Sequence, residues 1–152
     1  VAVEGIKAAT HKHLFPSLTR EGTPAIYETE GNKYGHLILR GGDRSGSNYD
    51  ADSIADAEAL LRSYDLAANM IIDCSHGNSQ KNPQNQKQVI ASICDAITSG
   101  STSIKGVMLE SNLLSGRQDF HPTNMEYGRS ITDACLSLDE TLPLLEQLNQ
   151  CH

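Results

Sequence analysis

The stretch NMIIDCSHGNSQK, residues 69–81, joins a short apolar run to a dense cluster of polar side chains. Met70, Ile71 and Ile72 have the apolar and β-branched character of a buried strand. Polar residues commonly follow strands because turns are polar, but a rigid strand end is also where catalytic or metal-binding side chains are held. For His76 this one stretch leaves both interpretations open.

Two other apolar runs end in the same way. HLILR, residues 36–40, ends in Arg40, and IKGVMLE, residues 104–110, ends in Glu110. Amphipathic helical patterns alternate with these strands; they cover residues 1–10, 48–66, 84–100 and 138–150. Alternation of strand and helix predicts an α/β protein with a parallel sheet.

The strand ends predict a barrel more strongly than an open sheet. They follow one another at nearly equal intervals, and each carries a strong functional group, as in a (βα)₈ TIM barrel, which takes about 250 residues. HLFPSLT, residues 13–19, is predicted as one more buried strand, so about four βα units, half a barrel, fit the chain. We also expect a hairpin in which residues 25–30 pair with residues 36–40 around Gly31 and Asn32. A doubly wound open sheet is the alternative, but no glycine-rich phosphate turn follows the first strand.

Composition limits the classes of function. The 152 residues predict one unit, residues 1–152, and the net charge of −7, from 12 basic and 19 acidic residues, argues against nucleic acid as a partner. No run of about 18 apolar residues predicts a membrane span. The four cysteines form no CxxC pair, so we expect reduced thiols and a cytoplasmic protein. The chain begins at Val1 within a helical pattern, which predicts a piece of a longer protein.

His76, Glu110 and Asp133 are candidate metal ligands. An imidazole and a carboxylate at equivalent ends of neighbouring strands are complementary ligands for a borderline divalent metal. Asp133 is either a third ligand on the loop after the last strand or an acid in the first turn of a helix. Alternatively, His76 is a hydrogen-bonded core histidine.

Arg40 is a candidate anion-binding residue. A guanidinium on a buried strand end is costly without an anion, and its geometry fits phosphate or carboxylate. The alternative is a structural ion pair with a carboxylate such as Glu110. Lys81 could reach an anion, but it is interpreted as a solvated loop lysine. No role is assigned to the other histidines; these are His11, His13, His36, His121 and His152.

Four motifs, HLILRGG, DCSHGNSQK, GVMLES and YGRSITDAC, resemble in order and spacing the C-terminal half of type I 3-deoxy-D-arabino-heptulosonate-7-phosphate (DAHP) synthases. Residues 25–42 and 73–81 look closest to the tryptophan-sensitive isoenzyme. The resemblance implies a TIM barrel that condenses phosphoenolpyruvate with erythrose 4-phosphate, the first step of the shikimate pathway. It also implies a divalent metal (Mn, Fe, Co or Zn).

Matching the motifs residue by residue implies that His76, Glu110 and Asp133 are metal ligands and that Arg40 contacts phosphoenolpyruvate. The family's fourth ligand, a cysteine, and its Lys-Pro-Arg-Thr segment belong to the half of the barrel that this chain does not match. The resemblance further implies feedback control by an aromatic amino acid, with Phe15, Ser17 and Tyr27 either as contacts or as ordinary hairpin packing.

Three hypotheses follow. The first is an enzyme, the C-terminal half of a metal-dependent DAHP synthase. The second is a non-catalytic half-barrel that self-associates through two exposed sheet edges and an apolar barrel interior, and that binds metal or anions weakly. The third is another phosphoenolpyruvate-using barrel aldolase. Under either of the first two we expect a homo-oligomer.

Overall fold

Parallel βα units form the centre of the structure, a computed structural model that describes residues 1–151. The strands are β1 (His13–Leu18), β2 (Pro24–Thr29), β3 (Leu37–Leu39), β4 (Met70–Asp73), β5 (Ile104–Met108), β6 (Ser111–Asn112) and β7 (Leu136–Ser137). The helices are α1 (Ala2–Ala9), α2 (Ala51–Ser63), the single turn α3 (His76–Ser79), α4 (Gln86–Thr98) and α5 (Leu138–Gln150). His152 lies outside the described residues.

The main sheet is parallel, with strand order β3-β4-β5. Leu37 pairs with Met70, and Met70 pairs with Ile104, so the three strands begin at the same level. Their carboxyl ends therefore meet at one edge of the sheet. A short parallel pair, β6 with β7, continues from that edge and leads into α5.

One hydrophobic core lies between this sheet and the helices. Met70 and Ile72 of β4 are fully buried. Helices α2 and α4 each turn an apolar face toward them; the buried positions are Ile54, Ala57 and Leu61 in α2 and Val89, Ile90, Ile93 and Cys94 in α4. The helices predicted from periodicity are thus confirmed. The sequence offers Asp50 or Asp52 as the N-terminal cap of α2, and the structure has Asp50, whose Oδ1 accepts from the Ser53 amide at 2.9 Å.

The predicted pairing of residues 25–30 with residues 36–40 is wrong. The hairpin is instead formed by β1 and β2, antiparallel, with Phe15 opposite Tyr27. Gly31, at φ +86°, turns the chain back against α1, where a Cβ would lie 2.4 Å from the Thr10 carbonyl oxygen. Strand β3 is left free to pair with β4.

The predicted burial of HLFPSLT is also wrong, because every residue of β1 is exposed. The β1–β2 hairpin is a two-stranded sheet, and no β1 or β2 residue belongs to the hydrophobic core. The main parallel sheet accordingly has three strands among the described residues, not the four counted from the sequence.

All four cysteines are free, as predicted. None of the helices in residues 1–151 is both long and apolar enough to cross a membrane.

Candidate metal and anion site

The carboxyl ends of β3, β4 and β5 surround a cavity of about 260 Å³. Arg40 directly follows β3, His76 opens the helical turn after β4, and Glu110 follows β5 by two residues. Asp133 enters from the long loop before β7. All four predicted site residues line this cavity, together with Ser79, Lys81 and Ala134. The four residues that the sequence predicted separately thus lie around one cavity, although the parallel sheet has three strands rather than the four predicted.

His76 is held by the strand that precedes it. Its Nδ1 lies 2.8 Å from Oδ2 of Asp73, which is only 2% exposed. Oδ1 of Asp73 accepts from the Ser75 amide at 2.9 Å and from the Ser75 hydroxyl at 2.6 Å. A carboxylate beside Nδ1 favours the tautomer with its proton on Nδ1, which leaves the Nε2 lone pair available toward the cavity.

The backbone at His76 is in the left-handed region, at φ +51°. A non-glycine residue occupies this region at an energetic cost, and such residues cluster at functional sites. The conformation brings the ring back over β4, so that one nitrogen meets Asp73 while the other faces Glu110 and Asp133.

Glu110 is positioned through its backbone by a buried glutamine. Gln86, fully buried at the start of α4, accepts from the Glu110 amide at 2.8 Å and donates to the Glu110 carbonyl at 3.1 Å. Burial raises the pKa of the Glu110 carboxyl; a positive charge on the His76 ring would oppose this shift, whereas the negative charges of Asp133 and Asp73 reinforce it. A carboxylate with a raised pKa beside two other acids gains from a nearby cation.

Asp133 reaches the cavity through a closed loop. Gly116 and Cys135 exchange two backbone hydrogen bonds, of 2.8 and 3.1 Å, across the base of this loop. Gly116 adopts φ +83°, a conformation that suits glycine. The next helix, α5, begins only at Leu138, so the alternative interpretation of Asp133 as a first-turn helix acid is wrong.

Three ligand atoms converge in the cavity. His76 Nε2 lies 3.4 Å from Glu110 Oε1 and 3.8 Å from Asp133 Oδ2. One ligand atom from each residue lies within 4.8 Å of the other two. Two atoms that bind one ion at about 2.0–2.2 Å lie at most about 4.4 Å apart, and the two distances from His76 Nε2 fall within that limit. Among residues 1–151, no cysteine belongs to this group.

Arg40 differs in part from its prediction. Leu39 before it is buried, but the Arg40 side chain is 62% exposed, so the guanidinium is not on a buried strand end. Its nearest carboxylate oxygen is Oδ2 of Asp73, at 3.9 Å, rather than Glu110. An exposed guanidinium at that separation keeps most of its donors available to a ligand.

Asn78 joins the ends of two strands beneath the cavity. Its side-chain amide donates to the carbonyls of Leu39, at 3.1 Å, and Asp73, at 2.8 Å, and its side-chain oxygen accepts from the Asn48 amide at 2.8 Å. Its own backbone amide donates to the Arg40 carbonyl at 3.2 Å. Asn78 therefore fixes the spacing between Arg40 and the His76 turn.

Sequence reasoning gave no role to Asp73, Gln86, Asn78 or Lys81. Asp73 had a local signal, because an acid three residues before a histidine at a strand end is placed to meet its ring. Gln86 and Asn78 act across long sequence separations and had no local signal. Lys81, interpreted as a solvated lysine, is exposed but lines the cavity.

Fold and site together define a parallel α/β protein with a nitrogen-and-oxygen ligand cluster and cationic side chains at the carboxyl ends of its strands. The sequence profile of the DAHP synthetase I family matches residues 1–146. The chain belongs to that family, as the motif resemblance predicted.

Curated relatives and a solved structure agree with this assignment. The tryptophan-sensitive phospho-2-dehydro-3-deoxyheptonate aldolase of Escherichia coli K12 is 44% identical over 97% of this chain and 42% of its own length. The tyrosine-inhibited enzyme of Schizosaccharomyces pombe is 45% identical over 97% of this chain and 41% of its own length. The aldolase structure from Francisella tularensis SCHU S4 matches with a TM-score of 0.91 and 45% identity, over 98% of this chain and 43% of that one. The chain thus spans less than half the length of these relatives.

Proposed function

We propose that this chain contributes the metal-binding and phosphoenolpyruvate-binding side of a DAHP synthase, which condenses phosphoenolpyruvate with erythrose 4-phosphate and releases phosphate. The observation that carries the proposal is the convergence of His76, Glu110, Asp133 and Arg40 on one cavity. Membership of the DAHP synthetase I family supports the same reaction. The finer architecture that we propose is the C-terminal half of a TIM barrel, supported by parallel strands whose functional residues share one end.

The donor set fits a divalent transition metal. One imidazole nitrogen and two carboxylate oxygens, from His76, Glu110 and Asp133, suit Mn, Fe, Co or Zn. The Asp73 carboxylate behind His76 is the outer contact that metal-binding histidines usually have. When bound, the metal would supply Lewis-acid polarisation of the aldose carbonyl. The carboxylates of Glu110 and Asp133 would offset its charge.

The chain's own residues have separate tasks in this proposal. Asp73 keeps the His76 proton on Nδ1, so that Nε2 stays a lone-pair donor toward the cavity. Arg40 binds the negative charge of phosphoenolpyruvate as the enol carbon attacks the carbonyl and water displaces phosphate. Gln86 and Asn78 keep Glu110 and Arg40 at fixed separations, because oriented groups react faster than mobile ones.

An aromatic amino acid effector and a homo-oligomeric state are further parts of the proposal. The names of the relatives include a tryptophan-sensitive and a tyrosine-inhibited enzyme. In this chain Phe15 and Tyr27 stack with ring centroids 6.0 Å apart on the exposed hairpin, with Ser17 nearby in β1. Their partial exposure leaves ring surface for an effector.

The cytoplasm remains the predicted location, supported by four free thiols.

Glu110→Gln tests the reaction and the metal together. In the protein at its natural length, we expect this substitution to abolish DAHP formation and to weaken metal binding, since a neutral amide is a poorer ligand than a carboxylate. Glu21→Gln, at the exposed hairpin turn, is the matched control. DAHP formation is measured by product assay and metal by elemental analysis. Wild-type metal content and turnover in Glu110→Gln would remove Glu110 from the site, and a metal-loaded wild-type protein without turnover would favour the non-catalytic alternative.

A further inference from the structure

We propose that Lys81 is a second anion-binding residue of the cavity, which binds a substrate phosphate group in exchange for its present partner Asp43. This inference rests on the proposed function, because the phosphate group comes from one of its two phosphorylated substrates. It adds a residue that neither the motif resemblance nor the sequence pattern placed in the site.

Lys81 has a fixed position relative to His76. Gln80 and Lys81 both adopt left-handed conformations, at φ +54° and +62°, directly after the His76 turn. The Lys81 amide donates to the His76 carbonyl at 3.0 Å, which closes this turn. Two consecutive non-glycine residues in this region are unusual and require support from the surrounding structure. The backbone of Lys81 is therefore tied to the residue that also supplies the candidate metal ligand.

Lys81 also connects two cavities. It lines the main cavity with Arg40, and it lines a neighbouring cavity of about 330 Å³ with Gly42, Asp43 and His76. Its flexible side chain can thus reach an anion at either mouth, on the side of the site away from Glu110 and Asp133.

Two basic side chains are available to bind an anion in the main cavity. The lining residues include two carboxylates, Glu110 and Asp133, and two basic side chains, Arg40 and Lys81. The carboxylates are assigned to a divalent cation in the proposed function. A phosphate monoester carries a charge of about −1.5 to −2 at neutral pH, so it can pair with more than one cation. Lysine is a common phosphate ligand, so Lys81 is chemically suited to this role.

Asp43 is a partner that Lys81 can leave. Lys81 Nζ lies 3.2 Å from Asp43 Oδ1, and the two side chains are 70% and 78% exposed. Ion pairs this exposed contribute little to stability, so exchange for a doubly charged ligand is favourable. Asp43 sits in a short loop that Gly42 and Gly46 close with two backbone hydrogen bonds of 2.9 Å. The loop keeps Asp43 near the cavity, where it competes with the phosphate.

The experiment compares Lys81→Met, Asp43→Asn and Lys105→Met in the protein at its natural length. Lys105, an exposed lysine near the opposite end of β5 that donates to the Thr102 carbonyl, is the matched control for loss of one positive charge. Binding of inorganic phosphate and of phosphoenolpyruvate is measured by titration calorimetry at two salt concentrations. KM is measured for each substrate separately.

We expect Lys81→Met to weaken phosphate binding by about tenfold or more, the loss expected for one charge-assisted hydrogen bond. Asp43→Asn should bind phosphate at least as tightly as the wild type, because it removes a competitor, and Lys105→Met should be unchanged. A rise in KM for phosphoenolpyruvate or for erythrose 4-phosphate then identifies the phosphate that Lys81 binds.

Two results would overturn the role of Lys81. One is wild-type affinity for phosphate in Lys81→Met. The other is an equal loss in Lys81→Met and Asp43→Asn, which would mean that the ion pair acts only as a structural contact. Inorganic phosphate binding tests Lys81 without turnover. Absence of turnover in the wild type therefore counts against the proposed function and leaves the calorimetric test of Lys81 intact.

Discussion

His76 combines two features that rarely occur together by chance at a strand end. Its backbone is left-handed, and its ring nitrogen meets a carboxylate that is almost fully buried. An ordinary turn would place any polar residue here without either feature. Asp73 would otherwise be a buried acid at a cost, and its contacts with Ser75 and His76 offset that cost. The local structure is thus arranged around the orientation of one imidazole ring.

Asp73→Asn tests this orientation. The amide keeps the shape of the carboxylate and can still accept from Ser75, but it no longer favours the Nδ1 proton of His76 by its charge. We expect metal affinity to fall by about 10- to 100-fold, as for other outer-shell partners of metal-bound histidines, with the chain still folded. Asp95→Asn, on the exposed side of α4, is the control. Unchanged metal affinity in Asp73→Asn, measured by competition with a chelating dye, would contradict the role.

A capping box stabilises the first turn of α5, close to the candidate site. Ser137 and Glu140 form a capping box: the Ser137 hydroxyl accepts from the Glu140 amide at 3.2 Å, and Glu140 accepts from the Ser137 amide at 3.0 Å. Gln84, in the 3-10 turn just before α4, and Lys87, in the first turn of α4, also donate to Glu140, at 2.9 and 3.1 Å. The cap therefore joins α5 to α4, beside the strand that follows the Asp133 loop.

Glu140 makes the stability of this junction depend on pH. The backbone amide of Ser137 lowers the pKa of Glu140 to about 2, with help from Gln84 and Lys87, against an ordinary value of 4.5. Since the folded pKa is below the unfolded one, the ionised carboxylate stabilises the fold above pH 4.5, and this contribution is lost as the pH falls toward 2.

Glu140→Gln should therefore lower the free energy of unfolding at neutral pH by about 1 kcal/mol, as for loss of a helix cap. The difference from wild type should shrink at acidic pH. Urea unfolding followed by circular dichroism at several pH values measures this effect. Glu146→Gln, exposed in the same helix, is the control and should show no such trend. A pH-independent difference for Glu140→Gln would contradict the assigned pKa shift.

At the level of elements, local sequence patterns predicted the helices but not which strands pair with each other. Periodicity predicted α2, α4 and α5, because each buries one apolar face. Alternation also indicated strands in residues 25–30 and 36–40, but it could not specify their partners. Strand β3 pairs with β4 across a long connection, and β2 pairs with β1 across a short one. Strand β1 was predicted to be buried because its residues are mostly apolar, but the structure leaves all of them exposed.

At the level of the whole molecule, most residues of the candidate site lie at the carboxyl ends of strands. Arg40, His76 and Glu110 were predictable because parallel strands place their carboxyl ends together. Asp133 was predictable only as a loop residue, since its position depends on the bridge between Gly116 and Cys135. Lys81 was interpreted as a solvated lysine, because the sequence does not show the two left-handed residues that place it at the cavity. Contacts between residues far apart in the sequence depend on the three-dimensional fold, and no short sequence pattern predicts them.

The register of the hairpin creates one apolar face on the whole molecule. Leu14, Leu18 and Ile26 share that face, because Pro16 lies opposite Ile26 and alternate residues point the same way. These three side chains are 61% to 70% exposed. Contiguous apolar surface of this kind usually marks a protein contact. Self-association was predicted from the sequence by way of exposed sheet edges, whereas the structure offers the hairpin face as a further surface for the proposed oligomer.

Ile26→Lys tests the hairpin face without touching the core. A charge at the centre of the face should oppose association, because burial of an unpaired lysine is costly. We expect the 152-residue chain to sediment as an oligomer at micromolar concentration and Ile26→Lys to shift it toward monomer. Leu60→Lys is the control, since it places the same charge at a 49% exposed position in the groove beside β3. A wild-type chain that sediments as a monomer would contradict self-association, whereas association lost in Leu60→Lys but kept in Ile26→Lys would assign it to the groove.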